Sequence, residues 1–186
     1  MSRLILFNMM TLDGYFEDVN RDISWHNVDG AFNEFAAEQL NSASLLVFGR
    51  ITYQLMAGYW PTPDAVNDDP VIAGLMNSIP KVVFSRSLSK PGWNNTRLSG
   101  EDPVKECMRL RETNEKDIFI FGSADLADLL RDKGIIDEFR IMVSPVLLGN
   151  GNPLFKLSGK RLDLKLIKSM TFSSGNVLLC YEPLRK

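Results

Sequence analysis

Apolar and polar positions change their period repeatedly along the chain. Residues 3–10 form an unbroken β-like run that Asp13-Gly14 ends, within TLDGYFED. Phe32, Phe35, Ala36 and Leu40 recur at helical spacing and predict a helix over 29–41. A short buried strand follows at 45–48, then a helical stretch at 52–58. Residues 59–68, YWPTPDAVND, read as a loop with two prolines. Asp69-Pro70 reads as an N-cap with proline in the first helical position, opening a helix to about Ser78.

The alternation continues through the rest of the chain. KVVFS (81–85) is the next strand, with a short one at 96–98. Val104, Cys107, Met108 and Arg111 place a helix at 101–114. DIFIF (117–121) has the pattern of a fully buried strand. After Gly122-Ser123 a helix presents Leu126, Leu129 and Leu130 on one face, and Gly134 suits its C-terminal cap. Residues 136–144 form another strand. Leu162, Leu164 and Leu166 alternate with charged residues, as in a half-exposed strand. The turn 173–176 leads to a last strand at 177–182. Strands and helices alternating in this way predict an α/β fold with a mainly parallel sheet and antiparallel C-terminal strands.

Composition narrows the classes. The chain has 186 residues, which suits one domain, with 45% hydrophobic and 24% charged residues. A net charge of −2 argues against nucleic acid or an anionic membrane as partner for the whole surface. Cys107 and Cys180 lack CxxC spacing and read as buried thiols. His26 is the only histidine, which excludes multi-histidine zinc sites and argues against a Ser-His-Asp triad; its loop reads as surface. No run reaches the ~20 apolar residues of a membrane helix. The expectation is a soluble cytoplasmic protein.

Three joins look alike. VFGRIT, VFSRSL and IFGSAD each follow an apolar strand. Ligands of open α/β sheets sit beyond the carboxyl ends of strands, and free N–H groups at a helix start attract anions. Gly49 and Gly122 would admit a phosphate close to the backbone. Arg50 and Arg86 would add positive charge, and Thr52, Ser85 and Ser123 hydroxyl donors. Ordinary turn chemistry and solvated arginines would give the same pattern. GxGxxG and GxxxxGK[ST] are both absent.

TLDGYF, GRITY, KVVFSRSL and GIIDEFRIMVSPVLLGNGNPLF together resemble the dihydrofolate reductase-like superfamily, in particular its RibD C-terminal reductase branch. The resemblance implies a central, mixed but mostly parallel eight-stranded sheet flanked by helices, NADPH as cofactor, and a homodimer. It places Gly49, Arg50 and Thr52 at the cofactor phosphates, with Arg50 favouring the 2′-phosphate. It places Ser85 and Arg86 at a second phosphate- and ribose-facing turn. Gly122, Ser123, Ala124 and Asp125 would cradle the pyrophosphate, with Ser123 where a second glycine is more usual. The implied function is an NADPH-dependent reductase passing hydride to a pyrimidine- or pteridine-like heterocycle, as in riboflavin biosynthesis or folate reduction. A non-catalytic nucleotide- or flavin-binding protein on the same fold is the alternative. RibD-type reductases often carry a glutamate where this chain has Phe121.

Candidate catalytic residues are Asp13 and Glu34. Asp13 lies on the loop expected over the nicotinamide and is also an ordinary Asp-Gly turn residue. Glu34 could orient or protonate a substrate nitrogen, or stand on a solvated helix face. Phe16, Tyr59 and Trp60 are candidate walls of the substrate pocket, with core packing as the other reading. No metal ligands are expected.

Overall fold

The computed structural model describes residues 2–156 and 160–184. In chain order the elements are β1 (Leu4–Thr11), β2 (Tyr15–Glu17), α1 (Gly30–Asn41), β3 (Ala43–Gly49), α2 (Arg50–Tyr59) and α3 (Pro63–Asp68). Then come α4 (Pro70–Ser78), β4 (Lys81–Phe84), β5 (Thr96–Ser99), α5 (Pro103–Thr113), β6 (Asp117–Ile120) and α6 (Ala124–Asp132). The last are β7 (Glu138–Ser144), β8 (Asn152–Pro153), β9 (Leu164–Thr171) and β10 (Val177–Pro183). Eight strands form one sheet in the order β5-β4-β3-β6-β1-β7-β10-β9, while β2 pairs with β8. The six strands from β5 to β7 are parallel, and β10 and β9 add on antiparallel, as the sequence pattern predicts.

Both sheet faces are covered, which is why the central strands are apolar on both sides. One core gathers Phe7, Phe35, Leu40, Phe48, Tyr53, Ile72, Met76 and Phe119, so α1, α2 and α4 cover that face. The other gathers Leu6, Val47, Cys107, Leu110, Ile120, Leu126 and Leu130, so α5 and α6 cover the opposite face. Burying one such Leu side chain is worth ~1.5–3 kcal/mol. Both cysteines are buried free thiols; burial pushes Cys107 up to about 12, so it stays unreactive.

The family pattern near β7 reads as structure. Asp137 accepts from Leu4 N at 2.9 Å and pairs with Arg111 at 2.9 Å. Buried Glu138 holds Arg3 at 2.8 Å and Arg140 at 2.6 Å.

Four expectations change. Residues 59–68 are not all loop: Thr62 caps α3 and Pro63 starts it, so proline initiates a helix here. Leu129 is 37% exposed, and Leu126, Ala127 and Leu130 form the buried face of α6 instead. The last-but-one strand begins at Leu164 and is exposed on both sides along nearly its whole length, because β9 is the sheet edge. His26 is not a surface residue: its Nε2 is buried, its ring lies edge-on to Trp25 at 4.4 Å, and burial pushes its pKa down to about 4.

Candidate functional site

Two of the three joins meet. β3 and β6 are neighbours, and their register carries Gly49 N to Gly122 O at 3.3 Å and Phe121 N to Val47 O at 3.0 Å. α2 starts directly after Gly49 and α6 directly after Ser123. Among the described helices, α1, α3, α4 and α5 are each capped by a side chain, from Asp29, Thr62, Asp69 and Asp102. Only α2 and α6 lack a side-chain cap. Their first N–H groups are therefore available, and each helix start carries partial positive charge.

The glycines are there for space. A Cβ on Gly49 would come within 3.1 Å of Ser123 Cβ and 3.2 Å of Ser123 N. A Cβ on Gly122 would lie 2.7 Å from Thr52 Oγ1 and 3.1 Å from Phe16 Cζ, and Gly122 has φ +62°. The Gly122–Ser123 peptide is cis. Gly49, Thr52, Gly122, Ser123 and Phe16 thus crowd one point above the sheet. Arg50, half-buried at the first position of α2, reaches along its own helix to Gln54 Oε1 at 2.8 Å.

The third join differs. No helix follows β4; Ser85 Oγ instead accepts from Ser87 N at 3.1 Å and Leu88 N at 2.9 Å, and Arg86 is exposed. Ala124 and Asp125 form the first turn of α6. The Asp125 carboxylate points to solvent and pairs with Lys156, so this turn offers an anion its backbone rather than that side chain.

Asp13 has a defined task. Its carboxylate accepts from Thr11 Oγ1 at 2.6 Å, Gly149 N at 2.8 Å and Leu148 N at 3.3 Å. The Thr11 hydroxyl, followed by the two backbone donors, holds its pKa below the usual carboxylate range. This pins the β1–β2 turn to the segment after β7. Glu34 is exposed on α1.

The aromatic candidates divide between the two faces. Phe16 packs with the core under α5 and α6. Trp60 packs with the other core, where Trp25, Phe32, Ala36, Met56 and Phe121 are half-buried as well. Phe121 itself lies among Phe7, Phe48 and Phe119, with ring centroids 5.7–6.2 Å away. Tyr59 is 42% exposed and donates to Asp68 at 3.0 Å. Half-buried aromatic side chains of the α1-side core, Phe121 and Trp60 among them, therefore lie on the same face as α2. A cavity of about 200 Å³ lies toward the amino end of β7, where β10 runs antiparallel to it, lined by Gln39, Glu138, Arg140 and Cys180. Among the described residues no group of His, Cys, Asp and Glu converges to hold a metal, and no helix is long and apolar enough to cross a membrane.

Comparison with known proteins places this geometry. The model of the RibD C-terminal domain matches residues 2–178. The chain belongs to the RibD C-terminal domain family. It is 33% identical over 182 residues to the uncharacterized protein YyaP of Bacillus subtilis (strain 168), covering 97% of this chain and 94% of that protein. A candidate riboflavin biosynthesis protein of Shewanella sp. PV-4 superposes with a TM-score of 0.75 at 23% identity, covering 98% of this chain and 99% of the other. Dihydrofolate reductase of Enterococcus faecalis, solved with NADP(H) and RAB-propyl, superposes with a TM-score of 0.65 at 12% identity, covering 98% and 97%. These likenesses establish the fold, the dihydrofolate reductase-like sheet of the RibD C-terminal domain.

The sequence alone did not single out Trp25, Ser144 or Asn176. Ser144 closes β7 immediately before the PVLLGNG stretch, and Asn176 closes the last turn. A serine and an asparagine at strand ends carry no chemical signature until the strands are paired.

Proposed function

We propose that this member of the RibD C-terminal domain family is an NADPH-dependent reductase acting on a C=N or C=O bond of a small heterocycle. The observation that carries this reading is the meeting of two uncapped helix starts at Gly49 and Gly122-Ser123. The enterococcal reductase of the same fold, solved with NADP(H), supports the choice of cofactor.

The residues present fit a dinucleotide phosphate. Two glycines let the helix starts meet, since a Cβ on Gly49 would collide with Ser123 and one on Gly122 with Thr52 and Phe16. The free N–H groups at the starts of α2 and α6 would hold phosphate oxygens. Arg50, with Arg86 on the neighbouring join, would neutralise the 2′-phosphate; Thr52 and Ser123 would donate hydroxyls. When bound, the nicotinamide supplies the hydride. The chain orients and excludes water. Phe16 and Phe121 flank Gly122 from the two faces of the sheet, and Trp60 packs on the α1-side core. Asp13 is held ionised by its three donors, so we assign it to positioning the β1–β2 turn. Glu34 is exposed, so we assign the proton to water. The reading includes a homodimer, which light scattering at micromolar concentration tests.

The test is oxidation of NADPH, followed by loss of nicotinamide absorbance, across a panel of pyrimidines and pteridines. Turnover of one class supports the reductase. Binding of NADPH with no oxidation across the panel would favour a non-catalytic nucleotide-binding protein instead.

A further inference from the structure

Away from the joins, one row of side chains crosses three strands. Pairing sets Arg140 of β7 opposite Cys180 of β10, and Cys180 opposite Lys168 of β9. Residues opposite one another in a sheet share a face, so the three stand together. That face is the one α1 covers, since Cys180 and Leu178 belong to the same core as Phe35. The cavity of about 200 Å³ lies between this row and α1. Its α1 wall is Phe35, Glu38, Gln39 and Ser42, the spacing of one helix face. The volume is below the ~300–1,000 Å³ of pockets for drug-sized ligands, so it suits a smaller molecule.

The charged groups around the cavity are unevenly committed. Buried Glu138 is occupied by Arg3 at 2.8 Å and by Arg140 Nε at 2.6 Å. Arg140 is held in place by that bond, by Nη1 on Gln39 Oε1 at 3.2 Å, and by the Phe119 ring, 5.3 Å away. Its Nη2 has no partner among the described residues. Lys168 and Glu38 are exposed lining residues and form no ion pair among the described residues. Burial pushes the Cys180 thiol up, Arg140 and Lys168 pull it back, and Glu138 adds to the rise. Both cations therefore act on the space beside the sulfur.

This arrangement selects by charge and by size. A fixed guanidinium with an unused N–H edge, beside an unpaired ammonium, recognises a carboxylate through charge-assisted hydrogen bonds. Phe35 and Leu178 offer its organic body an apolar wall. Glu38 and Glu138 also line the cavity, so its two positive groups are matched by two negative ones. A single added negative charge is accommodated by Arg140 and Lys168. A dianion such as phosphate meets a carboxylate on α1 and another on β7, and like charges brought together are costly.

We propose that this cavity is a second binding site, for a small organic monocarboxylate held by Arg140 and Lys168. The joins lie beyond the carboxyl ends of β3 and β6, and the cavity toward the amino end of the parallel strand β7. The two sites can therefore be filled together, and the inference is independent of the reductase reading.

Benzoate is the probe, with benzamide as its neutral isostere and inorganic phosphate as the dianion, each titrated calorimetrically into the protein. Benzoate is expected to bind at least about tenfold more tightly than either. Lys168→Gln changes an exposed side chain of the edge strand, so it should keep Tm and weaken benzoate about threefold. Cys180→Met places extra atoms in the cavity and should weaken benzoate about tenfold or more. If that variant folds poorly, Lys168→Gln alone decides. NADPH titrated into benzoate-saturated protein should bind as it does without benzoate. No benzoate binding, equal binding of benzamide or phosphate, benzoate affinity unmoved by Lys168→Gln, or competition between benzoate and NADPH would overturn the proposal.

Discussion

Substituting Gly49 by alanine isolates the close approach on which the site is built. Gly49 has φ −78° and ψ 159°, a conformation open to any residue, so backbone strain contributes nothing. What changes is space. The new Cβ would meet Ser123 Cβ at 3.1 Å and Ser123 N at 3.2 Å, with Ser123 Oγ nearer still. The hydroxyl can rotate away, but the backbone nitrogen moves only if the start of α6 moves. Overpacking of this kind costs ~1–3 kcal/mol, and we expect about 2 kcal/mol. For a chain of this size that lowers Tm by roughly 4–8 °C. Ser123→Gly removes both side-chain contacts, so the double variant should recover about 1 kcal/mol as a coupling energy. Urea melts of the four proteins of the cycle measure it. Strictly additive losses would refute the claim that the two joins press on each other.

Other consequences are equally specific. Arg50→Ala should weaken NADPH binding much more than NADH binding; equal losses in calorimetry would reject the 2′-phosphate assignment. Lys81 is buried with its ammonium on Ile79 O at 2.7 Å and over the Trp93 ring at 4.4 Å, so Lys81→Met should destabilise by ~1–3 kcal/mol in urea melts. Burial pushes His26 from 6.5 to about 4, so the unfolded chain binds its proton first and stability falls as pH drops through that window. Relative to wild type, His26→Gln should lose less stability between pH 6.5 and 4, and identical pH slopes would contradict the assignment. Asp29, held down to about 2 by Phe32 N, Ser173 and Ser174, contributes stability above pH 3.8 that is lost as pH falls to about 2. Asp29→Asn should remove that lowest part of the acid limb.

Much of the sheet was legible because buried strands such as LLVF and DIFI are continuous apolar runs and the helices between them keep a 3.6-residue period. The two productive joins were legible for the same reason, since a glycine directly between an apolar strand and a helix marks the topology. The third join carries similar residues, yet the Ser85 hydroxyl accepts from Ser87 N and Leu88 N and turns the chain locally, so no helix follows. α3 was hidden because its prolines read as loop residues until Thr62 is seen capping Ala65 N. β2 and β8 are three and two residues long and exist only through pairing with each other, so no local period announces them. Asp13 shows the same limit: its turn was visible, but its partners Leu148 and Gly149 come from the other end of the chain. The hydrogen bonds of Asn27 with Ser174 and Asn176 likewise join the loop before α1 to the last turn, and nothing in either segment points to the other.

Calorimetric titration of the purified protein with NADPH and, in parallel, NADH tests the central claim most directly. The account predicts tight binding of NADPH, distinctly weaker binding of NADH, and loss of that selectivity in Arg50→Ala. Binding of neither nucleotide, or equal binding of both, would contradict it.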